Sequence, residues 1–217
     1  MDIGLSIGEL RNGLIYYIIF IASLCIREYA HAWMVNRLGD PNPAAQGRVS
    51  MNPAVHMDLI GSVIFPLICI FVFKGNFVFG WGKTLIPNSS FFESRRKGEV
   101  LAALAGPAAN FFLIIALSVI GGLAHRYAPN TEELYERFLI INVLLIFLNI
   151  IPVPPRDGGV LLKHAVRMSE ETYIKISQWS FLFWIAVILI PQLSALLTIA
   201  VYKMGDSIAQ IYNICAR

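Results

Sequence analysis

Cys25-Ile26-Arg27-Glu28-Tyr29-Ala30-His31 lies inside a long apolar run, Leu14 to Leu38, and the reading of its charges decides what kind of chain this is. An ionisable side chain at membrane depth is costly and by default marks a functional site. Arg27 and His31 are four residues apart, so they share a helix face, with Glu28 beside them. That is the spacing of H-E-x-x-H, in which two histidines bind a metal and the glutamate handles the proton. Here the first of the two ligand positions is an arginine.

The surrounding composition supports membrane depth. Of the 217 residues, 57% are hydrophobic and 14% charged, against roughly 25% charged in soluble globular chains. Mean hydropathy is +0.65. Several apolar stretches reach the roughly 20 residues that cross a hydrocarbon core. The expected fold class is therefore an α-helical, polytopic integral membrane protein. The segment Met1 to Asn12 carries Asp2 and Glu9 and lacks a basic region, so no cleavable signal is expected. The net charge of +3 gives no reason to expect a nucleic-acid partner. Cys25, Cys69 and Cys215 lack metal-type or redox-type spacing, and no disulfide framework is expected.

A single membrane domain over 1–217 is expected, with spans at about 14–38, 100–123, 138–151 and 179–202. Pro191 should kink the last of them. Residues 59–73 are apolar but short, with Pro66 in the middle. Residues 76–87, broken by Gly80 and Gly82, read as a small membrane-associated β element with turns. Lysine and arginine collect in cytoplasmic loops. If the first span exits to the cytoplasm, the cluster Arg95-Arg96-Lys97 falls inside only when both ends of 59–73 lie inside. A re-entrant hairpin bent at Pro66 would achieve this; a true short span is the rival.

Further motifs follow in order: Gly47-Arg48 with Asn52, Pro53, His56 and Asp58, then Phe79-Gly80-Trp81, then Ala105-Gly106-Pro107 with Asn110. The last is Asn149 with Pro152, Pro154, Pro155 and Asp157-Gly158-Gly159. Together with the stretch at residues 27–31, this ordered set resembles the site-2 protease family of intramembrane zinc metalloproteases, in its prokaryotic subgroup. The resemblance runs from Ile21 to about Val166 and implies a cytoplasmic-membrane location with the motif-bearing side facing the cytoplasm. It implies Zn²⁺ held by the residues at positions 27, 31 and 157, so His31 and Asp157 are metal candidates and Glu28 the catalytic general base. Three protein ligands leave a fourth zinc position for a water whose pKa falls to about 7. By the same resemblance Asn149, Gly106 and Asn110 position substrate, Phe77–Leu85 offers an edge to an unwound segment, and the partners are membrane lipid and transmembrane-segment substrates.

Two positions depart from that pattern. Arg27 is always protonated and has no lone pair for a metal, and Arg156 stands where the family carries leucine or methionine. Arg27 could instead pair with Asp157. The expected state is a metal-free or metal-poor site on a site-2-protease-type scaffold, a pseudoprotease that recognises transmembrane segments without cutting them. The rival is an active enzyme in which His56 is recruited as the missing ligand, although a loop histidine of this kind more often braces its own loop. His125 and His164 read as solvated interface residues, and Asn110 as the maker of a buried hydrogen bond.

Overall fold

In the computed structural model, which describes residues 6–74, 78, 80–125, 127–128 and 131–216, the described chain is dominated by helices. It divides after Phe92 into two compact units.

The first unit is built on α1, Ile7–Arg37. Its 31 residues extend about 46 Å at 1.5 Å each, more than a hydrocarbon core needs. Ser6 starts it with a capping box: its Oγ accepts from the Glu9 N–H at 3.2 Å, and Glu9 Oε2 accepts from the Ser6 N–H at 2.7 Å. The helix stops at Leu38 before Gly39, whose φ of +110° suits glycine alone. A Cβ at Gly39 would also sit 2.8 Å from the Phe91 carbonyl oxygen. The short helix α2, Asn42–Ala45, follows. Asp40, fully buried, ties this turn together: Oδ1 accepts from the Asn42 backbone at 3.0 Å and side chain at 2.6 Å, and Oδ2 from the Asn88 N–H at 2.8 Å.

Asp58 caps the next helical segment, accepting from the Ile60 and Gly61 N–H groups at 3.1 and 2.7 Å. The segment opens as a π-helical stretch, Leu59–Ile64, and passes directly into α3, Phe65–Val72. Pro66 stands at this join, and the carbonyls that its missing N–H leaves free accept elsewhere, Gly61 from the Trp81 N–H and Ser62 from the Tyr17 hydroxyl, at 3.0 Å each. The expected hairpin bend at Pro66 therefore does not form, and the helix runs through it. At roughly 1.5 Å per residue the apolar helix Leu59–Val72 covers about 21 Å, short of a full hydrocarbon thickness.

The anticipated β element reduces, among the described residues, to one antiparallel bridge, Met57 to Gly82. Phe77 and Phe79 lie outside the described residues. The Trp81 N–H donates to the Gly61 carbonyl at 3.0 Å and the Lys83 N–H to that of His56 at 2.8 Å. Lacking side chains, Gly61 and Gly80 let this backbone close: a Cβ on Gly61 would lie 2.4 Å from the Trp81 ring, and one on Gly80 2.0 Å from the Gly61 carbonyl oxygen.

The second unit comprises α4 (Arg95–His125), α5 (Glu132–Ile150), α6 (Asp157–Ala165), α7 (Glu170–Leu189) and α8 (Pro191–Ala216). Its core lies between α4, α5 and α8, where Ile114, Leu139, Val143, Ile146, Val201 and Ile208 pack around Tyr135 and Tyr212. Those two rings stack with centroids 4.2 Å apart, and Ser118 Oγ bonds the Tyr135 hydroxyl at 2.9 Å. Gly122 allows α4 and α8 to approach closely, since a Cβ there would meet the Tyr212 carbonyl oxygen at 2.6 Å.

The acidic stretch Glu132 to Glu136 is the first part of α5. The charged stretch after Asp157 folds into α6 and the start of α7. One expectation changes here. The last apolar run is two helices broken at Ile190, not one kinked span, because Pro191 opens α8 as a separate helix. By length and composition α1 and α4 are the helices, among the described residues, able to cross a membrane.

Candidate functional site

The residues singled out by sequence divide between the units: Arg27, Glu28, His31 and His56 belong to the first, and Gly106, Asn110, Asn149 and Asp157 to the second.

On α1, Arg27, Glu28 and His31 are 8%, 5% and 8% exposed. Adjacent helix positions normally diverge, yet Arg27 Nη1 reaches back to donate to Glu28 Oε1. A permanent cation thus holds Glu28, the residue expected from the sequence as general base. A second arginine acts on the same carboxylate. Arg48 is 2% exposed and its Nη2 has no hydrogen-bond partner among the described residues. Burial pushes its guanidinium below the usual arginine range, with the charge of Glu28 pulling the other way.

His56 is fully buried, and its Nε2 lies 2.7 Å from the Ser50 carbonyl oxygen, so it donates there and braces its own loop. Gly82 joins these parts: a Cβ on it would lie 3.1 Å from the His56 carbonyl oxygen and 3.3 Å from Cγ and Cδ of Glu28. This close approach of Gly82 to Glu28 was not marked by the sequence, which read there as a β element with turns.

In the second unit Asp157 opens α6 and is buried. The two glycines after it are required by backbone contact. A Cβ on Gly158 would fall 2.1 Å from the Ile150 carbonyl oxygen, and one on Gly159 2.4 Å from Pro154 backbone atoms. Asn149 donates from Nδ2 to the Leu145 carbonyl at 2.6 Å and accepts on Oδ1 from Arg156 Nη1 at 3.2 Å. The departure at Arg156 therefore has a local role, orienting the Asn149 amide. Gly106 is buried within α4. Asn110 is fully buried, and neither its Nδ2 nor its Oδ1 has a hydrogen-bond partner among the described residues. The hydrogen bond expected of it is not made there, at a cost of roughly 1–3 kcal/mol.

His164 is also not the solvated residue expected: its Nε2 lies 2.8 Å from Glu99 Oε2 in a partly buried cluster with Lys163. No motif announces this cluster, because its partners are some 65 residues apart in sequence. Tyr173 packs beside it with Lys163 Nζ 5.3 Å from its ring centroid. Burial, then the charges of Glu99, Asp157 and Glu170, push the Tyr173 hydroxyl up to about 12.

The donor set can be tested against zinc. A guanidinium offers no lone pair, and among the described residues no three His, Cys, Asp or Glu side chains group to hold a metal ion. Arg27 itself therefore cannot be a ligand to the metal.

Known proteins supply the remaining evidence. The chain is 25% identical over 205 residues to a Bacillus subtilis protein named "Putative zinc metalloprotease YwhC", with 90% of each chain covered. It is 28% identical over 191 residues to "Putative zinc metalloprotease Rip2" of Mycolicibacterium smegmatis, covering 86% of this chain and 71% of that one. The chain is a homologue of both. These relatives support the resemblance to site-2 proteases and a membrane location. No protein-family model matches the chain, and no solved structure does.

Proposed function

We propose that this chain is a polytopic membrane scaffold of the site-2 protease type whose peptidase chemistry is impaired, and which binds transmembrane segments of partner proteins without cleaving them. The observation that carries this reading is Arg27, buried on α1 at the first ligand position and bonded to Glu28. Replacing histidine by arginine removes one coordination bond and adds a positive charge where a dication would bind. His31 and Asp157 are the remaining ligand positions, and the motif-bearing side faces the cytoplasm. Against the active alternative stands the burial of His56 within its own loop, where Nε2 is committed to the Ser50 carbonyl and only Nδ1 keeps a lone pair.

Zinc analysis of purified protein tests the reading. Wild type should carry well under one zinc per chain, and Arg27→His should approach one, with peptidase activity on a model transmembrane substrate as a second readout. Stoichiometric zinc in wild type that disappears in His56→Ala would establish the recruited-ligand enzyme instead. Absence of zinc from Arg27→His would place the loss of function beyond this one residue.

A further inference from the structure

Where α4 begins, α6 ends and α7 begins, the second unit holds a cavity of ≈ 330 Å³. Arg95, Arg96, Lys163, His164, Arg167 and Glu170 line it, with Met168 the apolar member. Its charges are unequally matched. Lys163 Nζ is held between Glu99 and Glu170 at 2.7 Å each, and Arg95 bonds the same two carboxylates at 3.0 and 2.7 Å. Arg96 donates to the His164 carbonyl at 3.2 Å. Among the described residues neither Arg96 nor Arg167 has a carboxylate partner, so the cavity keeps a surplus of positive charge.

The backbone singles out Arg167. It sits at φ 53°, in the left-handed region that ordinarily selects glycine after a helix. The Met168 N–H closes the end of α6 on the Lys163 carbonyl at 2.8 Å. A long cationic side chain at a position where glycine would be less strained is the kind of outlier that points to use of the side chain. The cavity also stands at the polar end of α4, a helix long and apolar enough to cross a membrane. Basic pockets between helices at that level match anionic lipid headgroups.

We infer that this cavity binds the phosphate of an anionic phospholipid, with Arg96 and Arg167 as the cations that no carboxylate among the described residues neutralises and Lys163, fixed by two carboxylates, as its floor. This site goes beyond the proposed scaffold function and does not depend on whether zinc binds. The lipid, rather than free phosphate, is favoured because the cavity adjoins the end of an apolar helix.

The test uses the full chain, purified in detergent and transferred to nanodiscs of phosphatidylcholine with or without phosphatidylglycerol. Native mass spectrometry and thermal unfolding then report retained lipid. Wild type should retain phosphatidylglycerol in preference to phosphatidylcholine. Each surface cation is worth about fivefold in such binding, so Arg96→Gln with Arg167→Gln should weaken retention by roughly twenty-five-fold. Both side chains lack carboxylate partners among the described residues, so the double variant should fold, which its unfolding temperature will show. Equal retention by wild type and the double variant would overturn the site. Displacement of the lipid by millimolar inorganic phosphate, or equal retention of phosphatidylcholine, would overturn the assignment to an anionic lipid.

Discussion

Replacing Glu99 by glutamine should unfold the second unit at a markedly lower temperature. Glu99 joins two elements: Oε1 accepts from Arg95 Nε at 3.0 Å on its own helix, and Oε2 from Lys163 at 2.7 Å and His164 at 2.8 Å on α6. The Glu99 and Lys163 side chains are 11% and 9% exposed, so this is a buried ion pair. Removing one member of such a pair costs about 3–5 kcal/mol, chiefly by stranding the other charge. Lys163 keeps Glu170, but that carboxylate is 47% exposed and largely screened. The net loss should be about 2–3 kcal/mol, allowing for that residual partner. For a chain of this size each kcal/mol moves the midpoint by about 2–4 °C, giving a fall of roughly 4–12 °C. Thermal unfolding of wild type, Glu99→Gln and Glu170→Gln in the same detergent measures it, and Glu170→Gln should cost under about 1 kcal/mol. Pairing Glu99→Gln with Lys163→Met should recover much of the loss, since neither charge is then stranded. A Glu99→Gln midpoint indistinguishable from wild type, or a larger effect from Glu170→Gln, would refute the assignment of Glu99 as the buried anchor of α6.

Gly158→Ala should destabilise by about 3 kcal/mol or more, because its Cβ would lie 2.1 and 2.3 Å from two backbone oxygens that cannot move aside. Gly205→Ala, with nothing within 4 Å and an ordinary position inside α8, should instead stabilise by roughly 0.5–1 kcal/mol. Denaturant midpoints of the pair should therefore move in opposite directions. Tyr173 makes stability depend on alkaline pH. Its hydroxyl is raised from 10.0 to about 12, so the native chain keeps this proton after the unfolded chain has lost it. Its contribution is intact below pH 10 and declines as pH rises toward about 12, by on the order of 1–2 kcal/mol after solvent screening. Tyr173→Phe should flatten that decline, and an unchanged slope would remove Tyr173 as its source. Single cysteines at Lys74 and Arg96, in a background without the native thiols, should both react with an impermeant reagent from the cytoplasmic side. Reaction of both from outside would make the apolar helix Leu59–Val72 a full span.

Much of the architecture follows from local signals that sequence carries. Apolar length sets α1 and α4, the Ser6/Glu9 pair starts α1, and the proline of Gly106-Pro107 is absorbed inside α4 without ending it. The chemical question was legible too, since an arginine four residues before His31 breaks the H-E-x-x-H spacing whatever surrounds it. Tertiary structure decided where polar groups find partners. The helix through Pro66, the bond from Arg156 to Asn149, the pairing of His164 with Glu99, and the unsatisfied Asn110 amide were not readable from periodicity. Periodicity and capping depend on residues within a turn or two, whereas a buried charge is satisfied by whichever element the fold brings beside it. For Glu99 and Lys163 that partner lies 64 residues away. Burial then determines what the pair is worth: the same two side chains in water would contribute little, and enclosed between helices they hold α6, and with it Asp157, in place.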